Sequence, residues 1–190
     1  MAREYRETYS EAMTIVPDSK DWTWVLAQPC PECSFDSGAP AYEDIPALIL
    51  DNARSWPKVL AREDVRVRPD EATWSALEYA AHVRDVFRIF TERLELILAQ
   101  DNPTFANWDQ DATAIADRYS EQDPETIAVE LTAAAEWAAS AYGAVASADR
   151  SRTALRSNGS QFTVESLARY FVHDVIHHRH DVAGQRGAPH

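Results

Sequence analysis

Residues 163–183 read TVESLARYFVHDVIHHRHDVA. At about 100° per residue, Val164, Leu167, Ala168, Phe171, Val175 and Val182 fall along one side of a helix, an apolar stripe wide enough to face a core. Thr163 suits the N-cap, and Gly184 and Gly187 stop the helix. A helix with one apolar face must bury it against other elements. Three further segments supply them. Ile45, Leu48, Ile49, Ala53 and Trp56 recur at helical spacing with Pro46 in the first turn, predicting a first helix over about 45–61. Thr73 is expected to cap a second helix running to about Gln100, where Asp101-Asn102-Pro103 ends it. Pro124 opens a third through about Ala148, spaced by Ile127, Leu131, Ala134, Trp137 and Tyr142. No segment reads convincingly as a strand. The expected fold class is therefore all-α, a four-helix bundle, with Trp74, Tyr79, Phe87, Phe90, Leu94, Leu131, Trp137, Leu167, Phe171 and Val175 in its core.

Working outward, residues 1–40 are irregular and carry Trp22, Trp24 and Cys30-Pro31-Glu32-Cys33. Their aromatics need burial, so this stretch is expected as an ordered N-terminal extension on a bundle domain spanning 41–190. Thr104 to Asp123 is an acidic crossover between the second and third helices, with Trp108 in its middle and room for a short helix. Ser157-Asn158-Gly159-Ser160 is a polar loop before the fourth helix; its match to a glycosylation acceptor is better read as a turn.

The 190 residues carry 31 acids against 18 bases, a net charge of −13. That balance offers no basic face to neutralise phosphates, which argues against nucleic acid as a partner and against an anionic membrane surface. The N-terminal residues lack an apolar signal-peptide core, and no stretch approaches the length needed to span a bilayer, so a cytoplasmic location is expected. The two cysteines are too few for a disulfide framework.

Five of the six histidines fall in two helices: His82 in the second, and His173, His177, His178 and His180 in the fourth. Helical residues four apart share a face, so two ligand pairs are available, His173 with His177 and Asp174 with His178. Asp174 and His178 flank the apolar stripe beside Leu167 and Phe171. His173 and His177 fall on nearly the opposite side, where a two-sided helix faces solvent. His82 lies at the margin of the second helix's stripe, near Val86 and Ile89. The wheels thus turn His82, Asp174 and His178 inward. Two imidazoles and a carboxylate suit a divalent ion, Zn²⁺ first and Ni²⁺ or Fe²⁺ as alternatives, and leave positions open for water or a thiol. Spacing alone equally allows these histidines to be hydrogen-bonded core residues.

Trp74-Ser75-Ala76-Leu77-Glu78-Tyr79-Ala80-Ala81-His82 resembles the W-S-x-x-E-x-x-x-H opening of the DinB-like superfamily. His173-Asp174-Val175-Ile176-His177-His178-Arg179-His180-Asp181-Val182 resembles its C-terminal signature. The resemblance covers roughly residues 45–184. It implies a four-helix bundle with one metal ligand from the second helix and two, four residues apart, from the fourth. Relatives ending in HxxHHxxQ or ExxxHxxD put Asp174 and His178 at the ligand positions and Asp181 in the trailing polar place. Asp174 stands where many relatives have His, and His173 with His177 is the fallback pair. His177 or Asp181 could orient a ligand, and Glu78, one turn from His82, is a candidate general base or ligand partner.

The superfamily includes mycothiol-dependent maleylpyruvate isomerases and bacillithiol transferases. The resemblance therefore implies a metal-dependent transferase or isomerase that brings a low-molecular-weight thiol to a small electrophilic substrate. Lys20 and Lys58 are the sole lysines, a bias seen with GC-rich coding, which points to mycothiol as that thiol. A non-catalytic metal or small-ligand binding bundle is the alternative, and a structural or dimerising bundle, a homodimer included, is a third. For Cys30 and Cys33 three readings stay open: a turn with buried thiols, a redox pair, or half of a metal site completed by histidines or a second subunit.

Overall fold

The computed structural model describes residues 21–184. Six helices and three short strands follow in chain order: α1 (Ile45–Arg54), α2 (Trp56–Leu60), α3 (Ala76–Ala99), β1 (Thr104–Phe105), α4 (Gln110–Ala116), α5 (Pro124–Gly143), β2 (Thr153–Arg156), β3 (Gln161–Thr163) and α6 (Val164–Gly184). The first 20 residues and the last six lie outside the described part.

Local chemistry sets the helix ends. Ser75, rather than Thr73, caps α3: its hydroxyl accepts the Glu78 N–H at 3.3 Å while the Glu78 carboxylate accepts the Ser75 N–H at 2.8 Å. This reciprocal box satisfies two N–H groups that a bare helix start would leave unpaired. Asp123 caps α5 ahead of Pro124 by accepting the Thr126 N–H at 2.8 Å. At α6 the side chains of Thr163 and Ser166 accept each other's backbone N–H, at 3.0 and 2.8 Å. The first helix predicted over 45–61 is two helices that break at Ser55. Pro57 has no N–H to donate, and that interrupts the ladder.

In the bundle α3 packs against α5 and α6, and α1 packs against α5 and α6, so α1 and α3 are diagonal neighbours. Phe171 of α6 sits where the helices converge, stacked on Phe90 at 5.1 Å and on Tyr142 at 5.3 Å, with Phe87 edge-on at 5.8 Å. The buried Asn52 amide ties α1 to α6 by donating to the Val175 carbonyl at 2.7 Å, and it accepts the Trp56 indole N–H at 3.0 Å.

One expected core residue is placed differently. Trp137 is 40% exposed. The buried stripe of α5 runs through Ile127, Leu131, Ala134, Ala135, Ala138 and Tyr142, and Trp137 lies about 110° from its centre. Tyr79 is half-buried, packed against the core and also bordering a cavity. A small sheet, β1-β2-β3, also appears where no strand was expected. β1 pairs with β2 in parallel, Thr104 opposite Leu155, and β2 pairs with β3 antiparallel, Ala154 opposite Phe162. Burial alternates along each strand, but runs of two to four residues are too short for a period of two to stand out in the sequence. Ser157 to Ser160 forms the turn between β2 and β3, and Gly159 takes the left-handed φ of 98° that favours glycine.

This sheet positions the site. β1 anchors the crossover after α3, and the chain that follows carries Trp108 back onto the His82 ring.

Phe171→Ala should lower unfolding stability by about 3–5 kcal/mol. Trp137→Ala should change it by no more than about 0.5 kcal/mol, both measured by urea denaturation.

Candidate metal centre

His82 comes from the second turn of α3, and Asp174 and His178 from successive turns of α6. Their ligating atoms converge. His82 Nε2 lies 3.1 Å from His178 Nε2, and the Asp174 carboxylate oxygen Oδ1 lies 3.2 Å from His178 Nε2 and 3.9 Å from His82 Nε2. Metal–ligand bonds of 2.0–2.2 Å place neighbouring donor atoms about 3.0–3.4 Å apart in octahedral or tetrahedral geometry, so two of the three edges already match. Asp174 Oδ1 is buried with no hydrogen-bond partner among the described residues, as is His82 Nδ1. The carboxylate's charge partner is His178, at 3.2 Å, and a cation at the centre of this triangle would take over that role.

The surroundings hold the triangle in shape. The Asp181 carboxylate is 3.1 Å from His178 Nδ1, so its proton-accepting side keeps His178 Nε2 turned toward Asp174 and His82. Trp108 stacks on the His82 ring with planes 5° apart and centroids at 5.0 Å, Trp74 packs on the same ring at 5.1 Å, and Tyr79 packs on His178 at 5.3 Å. Burial pushes the His82 pKa down. Burial also opposes charge on His178, but the carboxylates of Asp174 and Asp181 together outweigh it and hold its pKa at about 9. Burial likewise works against the Asp174 carboxylate, yet the two imidazoles hold its pKa well below the usual range.

Above the triangle opens a cavity of about 650 Å³, bordered by Trp74, Tyr79, Trp108, Asp174, His178 and Asp181. Arg93 and Arg156 also border it. Neither arginine carried a sequence signal. Arg93 lies over the faces of Phe90 and Phe105, and Arg156 over those of Phe162 and Tyr170, so aromatic stacking brings both guanidiniums inside an otherwise acidic chain.

Other sequence candidates have different placements. Glu78, a candidate general base, is 3% exposed and takes no part in lining the cavity. Its carboxylate caps α3 and pairs with Arg68 Nε at 2.9 Å. Asp85, the acid three residues after His82, is held by Arg84 and by the Tyr119 hydroxyl, which donates to it at 2.6 Å. His173 and His177, expected to face solvent, are 3% and 7% exposed. The stretch before α1 covers them: Trp22 packs on both rings, and the Cys30 sulfur lies 3.6 Å from His177 Nδ1. A helical wheel sees two faces and cannot show that a segment outside the bundle buries the second. Cys30 and Cys33 are free thiols brought together in this cluster, and burial, with Cys30 alongside, pushes the Cys33 thiol up to about 11.

The bundle carries an inward pair of imidazoles and a carboxylate whose ligand atoms converge beside a pocket. The sequence model of the DinB superfamily matches residues 50–182, and the chain belongs to that superfamily. Among solved structures it is similar to YfiT from Bacillus subtilis, described as "a probable metal-dependent hydrolase with an unusual four-helix bundle topology". The likeness has a TM-score of 0.61 at 16% identity and covers 78% of this chain and 85% of that one. No curated protein matches. No helix among the described residues is long and apolar enough to cross a membrane.

The placement of Glu78 has a pH signature. Burial opposes its charge, but Arg68 and Ser75 outweigh that and hold its pKa below the usual value. A depressed folded-state pKa adds stability that is full above the unfolded value of about 4.3 and is lost as pH falls through the folded value. Glu78→Gln should therefore lower stability at neutral pH and flatten its decline below about pH 5, as followed by urea denaturation across a pH series.

Proposed function

We propose that the protein is a metal-dependent enzyme in which His82, Asp174 and His178 hold one divalent ion, zinc by its donor set, beneath a pocket for a small electrophilic substrate. The observation that carries this reading is the convergence of three donor atoms, those of Asp174 and His178 at the border of a cavity and that of His82 buried directly behind them. A bound ion with open positions supplies Lewis acidity and lowers the pKa of a water or thiol placed on it.

The chain's own residues do the rest. Asp181 holds a proton on His178 Nδ1 and so keeps Nε2 available as a ligand. Trp74 and Trp108 cover His82 on the pocket side and limit water there. Asp174 lowers the charge of the set by one, leaving a cationic centre that favours an anionic nucleophile.

A low-molecular-weight thiol, mycothiol-like, is the nucleophile this reading favours, making the protein a thiol transferase or isomerase. A cavity of about 650 Å³ has room for such a thiol beside a second small reactant, within the usual range of ligand sites. Water as nucleophile is the second reading, and it rests on the hydrolase description of YfiT. A bundle that binds the ion without turnover is the third.

His178→Ala should cost one equivalent of bound ion by elemental analysis, with helix content by circular dichroism unchanged. In the zinc-loaded wild type, a small thiol offered with an electrophilic acceptor should be consumed faster than in buffer, and His178→Ala should lose that acceleration by about 100-fold or more. Ester or amide turnover that ignores added thiol would establish hydrolysis instead. Bound ion with neither turnover would leave the binding bundle.

A further inference from the structure

We propose that Cys30, Cys33, His173 and His177 form a second metal site, closed and four-coordinate, that takes zinc and pins the N-terminal segment to α6. The four ligand atoms lie within 4.8 Å of one another, drawn from two parts of the chain about 140 residues apart. Tetrahedral zinc, with bonds of about 2.3 Å to sulfur and 2.0–2.1 Å to nitrogen, spaces a sulfur and a nitrogen ligand about 3.6 Å apart. Cys30 Sγ and His177 Nδ1 stand at 3.6 Å.

The backbone is already shaped for the task. The Ser34 N–H donates to the Cys30 carbonyl at 2.8 Å, and the Cys30 N–H donates to the Phe35 carbonyl at 3.0 Å. This tight loop, with Ser34 at a left-handed φ of 62°, folds the CxxC so that both sulfurs meet the helix. On the other side, a spacing of four residues stacks His173 and His177 on one face of α6, with ring centroids 5.3 Å apart.

The partners around the ligands fit the same reading. His177 Nε2, the nitrogen turned away from Cys30, lies 3.4 Å from the Glu32 carboxylate and 3.6 Å from that of Asp181. A ligating imidazole ordinarily gives its outer N–H to such a carboxylate. His173 Nε2 is buried with no hydrogen-bond partner among the described residues. Three of the four residues are buried, and only Cys33 is partly exposed. Two thiolates cancel the charge of a divalent ion, so the loaded cluster is neutral and can be buried at little electrostatic cost. The site with His82, Asp174 and His178 has one anionic ligand and stays cationic. That difference makes one site structural and the other open to a nucleophile.

The need for a clamp is visible in the segment itself. Residues 21–40 hold one short 3-10 helix, Trp22–Leu26, and of their apolar side chains only Val25 and Cys30 are fully buried. Leu26 and Phe35 add partly buried contacts with the core, and Arg169 of α6 donates to the Ser37 carbonyl at 2.6 Å, a modest hold to which the metal would add.

The test is elemental analysis of the full chain purified from zinc-supplemented medium, together with the absorption spectrum after replacement by Co²⁺. Two equivalents of zinc are expected in the wild type and one in the double variant Cys30→Ser, Cys33→Ser. The cobalt protein should show an intense thiolate-to-metal charge-transfer band, which the double variant lacks and His82→Ala keeps. If the double variant does not fold, the wild-type cobalt spectrum decides alone. A cobalt-loaded wild type without the thiolate band, or wild-type zinc that the cysteine replacement leaves unchanged, overturns the site. One equivalent that survives His82→Ala and carries the band supports it, while removing the metal from the proposed catalytic centre.

Discussion

Four residues separate His173 from His177 and Asp174 from His178, and an α-helix turns about 400° over that distance, so each pair stands on a single face. The two faces are one residue, about 100°, apart. Neither can be left in apolar surroundings without partners, because a buried imidazole or carboxylate with nothing to bond is costly. The architecture answers each face separately. Diagonal packing of α1 and α3 leaves one side of α6 open to His82, Trp74 and Trp108, and the irregular chain before α1 is laid along the other.

The two faces are not independent. Asp181 lies one turn beyond both pairs, with Oδ2 at 3.1 Å from His178 Nδ1 and Oδ1 at 3.6 Å from His177 Nε2. A carboxylate shared between two rings couples their orientations. Rotation of His177 away from Cys30 would draw on the same group that aims His178 at Asp174. Asp181, expected from the sequence as a catalytic candidate, is thereby placed to position both rings.

Much of this arrangement was legible in the sequence, and the remainder failed for identifiable reasons. The bundle was readable because its helices are long, with stripes at a period near 3.6 and marked stops. The inward set His82, Asp174 and His178 was readable because one wheel step distinguishes it from its neighbours. The burial of His173 and His177 was not, since a wheel assumes that one helix face meets water. The contact between Cys30 and His177 joins residues 147 apart, and no local pattern carries such a distance. Glu78 sits where a general base would be sought, one turn from His82, yet its spacing from Ser75 was equally a capping-box signature, and the box prevailed. The sheet was missed because its strands are only two to four residues long, and one of its buried side chains is an arginine, Arg156.

The position of Trp108 joins the fold to the chemistry. Its ring lies parallel to His82, and its indole N–H donates to Thr113 at 2.7 Å, where Asp109 has capped the short helix α4. The crossover is therefore braced on both sides of the tryptophan, by β1 before it and α4 after it. A flexible loop of that length would expose His82 to bulk water and raise the local dielectric, weakening every charge interaction in the pocket. Bracing the loop with two hydrogen-bonded elements keeps the aromatic wall in place without closing the cavity, whose other borders come from α3 and the residues before it, α6, β2 with its turn, and the N-terminal segment. The same small sheet that left almost no trace in the sequence thus decides how much water reaches the His82 side of the site.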